Sequence, residues 1–326
     1  MPRHAPPLAR WRHLLWPGVA VLVVAVLSTV AIVVIGDERT TAAAAPEAST
    51  SPGGPNGSGA SESPQSSSAP PATTNPATAT AQATTNPPNA QAPQRFGTVP
   101  PGSALPSGAQ CATWVRATPY PENKGANRTA NQTTGHAIGA AFFSGDDARA
   151  NGVIGPRVDG QFTGTTGQIL RWAACKWGVD EELVFAQAAI ESWWQQGTLG
   201  DFGTDPSRCA PGRGLGVDGK PGQCPESFGI LQNRYPYEQT AWPGIANSTA
   251  MNADLGYAIF RVCFEGYETW LNTVERGQTY AAGDVWGCVG RWFSGRWHTQ
   301  AGEDYVTRVK DYLNQRIWAT PNFQQP

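Results

Sequence analysis

The chain has 326 residues, and its 23 Lys and Arg nearly balance 25 Asp and Glu to leave a formal net charge of −2. That balance excludes the basic surface a nucleic-acid-binding protein needs, so no nucleic-acid partner is expected. Phosphate-cradling glycine loops, a Ser-His-Asp order and an HExxH zinc motif are absent and the 4 His are scattered, so neither a cofactor nor a metal site is expected.

Arg3, Arg10 and Arg12 precede an apolar run from Val19 to Ile35 that only Ser28 and Thr29 interrupt, and Asp37 and Glu38 follow it. With its flanks the run reaches the ~20 residues that cross a bilayer, longer than the ~7–15 of a cleaved signal core. The arginines precede the span, which predicts residues 1–16 in the cytoplasm, a transmembrane signal-anchor over 17–36 and everything later outside the cell. Membrane attachment is thus expected through this helix, and cleavage near Ala42 to Ala45 would instead give a secreted protein. Residues 37–108 are mostly Ala, Thr, Ser, Pro, Asn and Gly. Such a segment has too few large apolar side chains to bury a core, so a disordered linker reaching into the wall is expected.

Cys111, Cys175, Cys209, Cys224, Cys263 and Cys288 all lie beyond the apolar run. An even number in an oxidising compartment points to disulfides. Proximity along the chain suggests Cys209 with Cys224 and Cys263 with Cys288, which leaves Cys111 for Cys175. Residues 109–160 are rich in Pro, Asn, Gly and Thr with one apolar patch, Ala137 to Phe143, and read as a strap packed on the main domain.

Residues 161–320 are long enough for one helical domain with its own core, so the fold class is mainly α. Ile169, Leu170, Ala173, Ala174 and Trp177 form an apolar helix face ended by Gly178, and a second helix starts at once with Asp180 as its cap. In that helix Leu183, Ile190 and Trp194 share a face, and Glu191 sits at its apolar edge. A carboxyl desolvated there resists ionisation, as a general acid must near neutral pH. The competing reading is a glutamate at a helix boundary with its head in water. An insertion between Gly197 and Pro225 carries Asp201, Asp205 and Asp218, and Glu226-Ser227-Phe228-Gly229-Ile230-Leu231-Gln232 follows. Further helices are expected from Asn252 to Phe264 and from Ala282 to Trp292, with another around Tyr305, Val306 and Val309. Most tryptophans belong in a core, with Trp193, Trp194, Trp292 and Trp297 the candidates for stacking on sugar.

Glu191-Ser192 at a helix end, followed by Ser227-x-Gly229-Ile230-Leu231-Gln232, resembles the active-site signature of the soluble lytic transglycosylase family of lysozyme-like enzymes. The resemblance covers roughly half the chain, and Asn252 with Gly256 and Tyr305-Val306 extend it. It implies a lysozyme-like domain with Glu191 as the catalytic acid. Ser192, Ser227, Gly229, Ile230, Leu231, Gln232, Trp292 and Tyr305 would then line or bind the sugar cleft. Trp292 stands where the family has Tyr, and Phe293 where it has Asn, which puts the polar contacts of those two positions in doubt. The implied function is cleavage of peptidoglycan between MurNAc and GlcNAc with a 1,6-anhydro product, by a monomer whose partner is the glycan strand. Two alternatives stay open. One is a hydrolytic muramidase that uses Asp201 or Asp205 as a second carboxylate, and the other is a wall-binding protein without turnover.

Overall fold

A computed structural model of the protein describes residues 95–143, 145–272 and 280–324. The expected membrane span and all of the expected linker before residue 95 lie outside these residues. The described part is mainly helical and carries three disulfides, Cys111–Cys175, Cys209–Cys224 and Cys263–Cys288, the pairing that chain proximity suggests.

The first helix, α1 (Gly108–Arg116), opens with a reciprocal capping box between Ser107 and Gln110, and the Cys111–Cys175 disulfide clamps it to a later helix that carries Cys175. A short α2 (Arg128–Asn131) and a π turn at Ala150–Ile154 follow. Helix α3 (Thr166–Trp177) opens with a second capping box, Thr165 with Gln168, and ends at Gly178. Helix α4 (Glu181–Ser192) begins at once, with Asp180 Oδ1 accepting from the N–H groups of Glu182 and Leu183. The helix pair expected from the apolar periodicity is therefore present.

The expected linker boundary is wrong by about a dozen residues, because the stretch from Arg95 to Ser107 is packed on the domain. Arg95 pairs with Asp180 and Glu182, Phe96 is buried and Val99 donates to the carbonyl of Gly178. Burial of one Phe contributes ~1.5–3 kcal/mol, enough to fix the end of an otherwise polar segment. Helix α1 was likewise not expected in a strap.

A short α5 (Gly244–Asn247) leads into α6 (Thr249–Phe264), every residue of which is buried. Such a helix must satisfy its polar groups internally. Asp254 does so by accepting from Lys176 at 2.8 Å, from Trp177 Nε1 at 2.8 Å and from the N–H groups of Asp159 and Gly160. These contacts join the strap, α3 and α6. Helices α7 (Val285–Ser294) and α8 (Gln300–Gln315) complete the body; α8 packs against both α7 and α4.

A small antiparallel sheet in the order β1-β2-β3 lies between α4 and α5 in the chain: β1 (Leu199–Gly200), β2 (Ser227–Phe228) and β3 (Asn233–Arg234). Leu199 faces Phe228, and Phe228 faces Asn233 on its other side. The insertion between β1 and β2 is closed by Cys209–Cys224 and by backbone pairing of Gly203 with Cys224.

Candidate active site

Three helices bring the central side chains together. Glu191 lies in the last turn of α4, Trp292 on α7 and Tyr305 on α8. Helix α4 stops at Ser192 because Trp193 and Trp194 both take left-handed backbone angles. Trp194 therefore leaves the helical face expected for it and is wholly buried, its Nε1 donating to Phe185 O.

Glu191 is half-buried on the wall of a cleft of about 800 Å³. Tyr305 Oη donates to Glu191 Oε1 at 2.5 Å, and Trp292 donates a second side-chain hydrogen bond. Both bonds favour the carboxylate, yet desolvation by the surrounding protein outweighs them and lifts the pKa from 4.5 to about 7. The negative charge of Asp201 acts in the same upward direction, and Arg308 opposes it. Burial and the neighbouring Glu191 push the Tyr305 phenol well above its ordinary pKa, so it remains a donor. Gln187, one turn before Glu191 on α4, makes a further side-chain bond to Tyr305 and accepts from Tyr257 at 3.2 Å.

The segment after β2 forms part of the cleft wall, and its side chains have unequal duties. Gln232 lines the cleft while its Nε2 donates to the carbonyls of Gly229 and Thr198. Ser192, Ser227, Ile230 and Leu231 are buried and, with Gly229, are not among the residues facing the cleft. In the structure these residues frame the cleft wall. Ser192 Oγ donates to Ile230 O at 2.8 Å, tying the end of α4 to this segment, and Ser227 Oγ donates to Asp201 Oδ2. Gly229 has φ +83°, and a Cβ there would meet Asn252 Nδ2 at 2.2 Å. Asn252 is the reason for that closeness: its amide donates to Phe228 O and Ile245 O, and its Oδ1 accepts from Leu231 N–H. Gly256, one turn on, lets Leu231 lie against α6, because a Cβ would meet Leu231 Cδ1 at 2.6 Å.

The two candidate second carboxylates separate. Asp201 lines the cleft with Glu191, held by Ser227 and by Arg234 Nε at 3.4 Å. Asp205 caps a surface turn, its Oδ1 accepting from Ser207 N and Oγ, and it does not face the cleft. Asp205 is therefore removed from the site. Of the four tryptophans considered for stacking, only Trp292 lines the cleft; Trp194 and Trp297 are core, and Trp193 packs on Tyr312 and Phe323. Phe293, which stands where the family has a polar residue, lines the cleft half-exposed. Its ring stacks parallel to that of Tyr305, with centroids 4.8 Å apart.

No family model, curated protein or solved structure matches this chain. The cleft also holds Asp146, Glu238, Glu268, Trp270 and Arg291, none of which the sequence singled out. They come from four separate segments with no common spacing, so no local pattern could have joined them.

Proposed function

We propose that the protein is a peptidoglycan-cleaving glycosidase of lysozyme-like fold that uses Glu191 as its general acid, and that it works as a lytic transglycosylase. The observation that carries the reading is Glu191 itself: a carboxyl with pKa about 7, open to a long cleft and held by Tyr305 and Trp292. About half of such a group is protonated at neutral pH, which suits proton transfer to a leaving oxygen.

In this mechanism the Glu191 proton passes to the glycosidic oxygen as the bond from that oxygen to the anomeric carbon breaks. The sugar's own 6-hydroxyl oxygen then bonds to the anomeric carbon and gives its proton to the Glu191 carboxylate, closing a 1,6-anhydro ring and restoring the acid. Tyr305 and Trp292 steady the carboxylate between the two transfers, when it carries charge. Glycan strands are the partner, and Gln232, Trp292 and Phe293 the surfaces they meet.

The position of Asp201 in the same cleft favours a second reading, a muramidase in which Asp201 activates water or forms the covalent intermediate. Asp201 is held there by Ser227 and Arg234. Mass spectrometry of digested peptidoglycan separates the two. Transglycosylation gives muropeptides lighter by one water than the hydrolytic products, and Glu191→Gln should abolish both. Lysis by Glu191→Gln at the wild-type rate would refute either form.

A further inference from the structure

A second group of titratable side chains faces the cleft apart from the Glu191 centre. Glu238 follows β3 and is 8% exposed, and Glu268 follows α6 and is 2% exposed. Arg291 on α7 donates to Glu268 Oε1. Trp270 Nε1 donates to Asp146 Oδ1 at 3.0 Å. After these bonds are formed, Glu238 Oε2, Glu268 Oε2 and Arg291 Nε are buried without a hydrogen-bond partner. Buried polar atoms are nearly always satisfied, and leaving three in one cleft is costly unless something else completes them.

Among the described residues, acids outnumber cations in the same place. Asp146, Glu238 and Glu268 face Arg291, whose positive charge opposes the upward push of burial on all three. Arg234 opposes it at Glu238 too, by its charge and its backbone N–H, while its guanidinium donates to Glu226 at 2.7 Å. Burial holds the carboxyls above their ordinary range, Glu238 at about 8, Glu268 at about 7 and Asp146 at about 6. Among the described residues, no three acids are placed to ligate one metal ion. A neutral hydroxyl offers one donor and no charge, whereas an ammonium brings three N–H donors and a positive charge that favours ionising carboxyls that burial otherwise holds protonated. Phe142, Phe143 and Trp270 line the cleft here and give an alkyl stem apolar surface, with the Arg291 guanidinium already over the Trp270 ring at 5.4 Å.

We propose that this end of the cleft binds a protonated primary amine of the wall polymer, its N–H groups satisfying Glu238 Oε2 and Glu268 Oε2. The inference rests on the glycan-cleaving reading and adds a preference: strands bearing free amines are selected over fully acylated ones. The amine has two chemical sources, the side chain of a diamino acid in a stem peptide or an amino sugar that has lost its acetyl group.

The test uses the full-length chain carrying Glu191→Gln, so that nothing is cut, and isothermal titration calorimetry with two matched pairs of probes. One pair is chitotetraose and its fully deacetylated counterpart. The other is the tripeptide Ala-γ-D-Glu-Lys with its lysine amine free or acetylated. The free-amine member of one pair should bind at least tenfold more tightly than its acetylated partner, and the pair that shows this identifies the source. Adding Glu238→Gln should remove that advantage. Equal affinities within both pairs, a comparison that needs no change at Glu238, would overturn the proposal, as would an advantage that survives Glu238→Gln in a variant that still melts cooperatively. Failure of the parent reading has a different mark: wild-type protein that releases no muropeptides from walls.

Discussion

Replacing Glu191 with Gln should make the stability of this protein respond to pH in a way that the wild type does not share. The Glu191 carboxyl has a pKa of about 7 in the folded protein against 4.5 ordinarily, so the folded state holds its proton more tightly than the unfolded chain. Below about pH 4.5 both states are protonated and the site carries no ionisation penalty. As pH rises through 4.5 to 7 the unfolded chain ionises first, and stability is lost across that window. Ionising a carboxyl held at about 7 instead of 4.5 costs ~3 kcal/mol, at ~1.4 kcal/mol per tenfold. Gln never ionises, but its amide nitrogen replaces one carboxyl oxygen and carries two donors where the protonated carboxyl has one, which costs ~1 kcal/mol at every pH. Glu191→Gln should thus be ~1 kcal/mol less stable than wild type at pH 4 and ~2 kcal/mol more stable at pH 8.5. In a domain of this size that is a Tm ~2–4 °C below wild type at the first pH and ~4–8 °C above it at the second. The raised acids Glu238 and Glu268 are common to both proteins and cancel in the difference. Thermal unfolding followed by circular dichroism at the two pH values is the assay. Parallel Tm curves, with no crossing, would show that Glu191 is not desolvated and would remove the basis for its role as an acid.

Further outcomes follow from neighbouring contacts. Tyr305→Phe removes a donor that holds the Glu191 pKa down, so the alkaline limb of the pH–rate profile should move to higher pH, with a loss of ~1 kcal/mol in stability; an unmoved limb counts against the bond. For the transglycosylase, Asp205→Asn and Asp201→Asn should each keep most activity, whereas an inactive Asp201→Asn with reducing-end products in the wild-type digest selects the muramidase. Replacing Cys209 and Cys224 together with Ala should cost ~3 kcal/mol in denaturant titration, given their separation of 15 residues. Unchanged stability would mean that Gly203–Cys224 pairing and the Arg208–Glu226 ion pair already hold the insertion.

Local chemistry carried much of this fold. The α3–α4 pair was legible because apolar spacing, a capping Asp180 and a terminating Gly178 all act within a few residues of one another. Cys209–Cys224 and Cys263–Cys288 followed neighbour order because only 15 and 25 residues separate them, whereas Cys111–Cys175, 64 residues apart, was reached only as the pair left over. The stretch before α1 was misjudged because a single buried Phe96 and the Arg95 ion pairs outweigh a polar composition, and composition does not register one anchoring contact. Glu191 could be named only by joining its place at the edge of a helix to the Ser227-to-Gln232 segment downstream, since the helix alone also fits a glutamate with its head in water. Its acidity, however, depends on Tyr305, more than a hundred positions later, and on how closely α7 and α8 close over α4. The same distance in sequence separates the residues expected to touch sugar from those that face the cleft: Ser192, Ser227 and Leu231 turned inward once Asn252 bound the loop from α6. Asp201 and Asp205 were equivalent as letters four apart, and only the sheet, by pairing Gly200 with Ser227, turned one into the cleft and left the other on the surface.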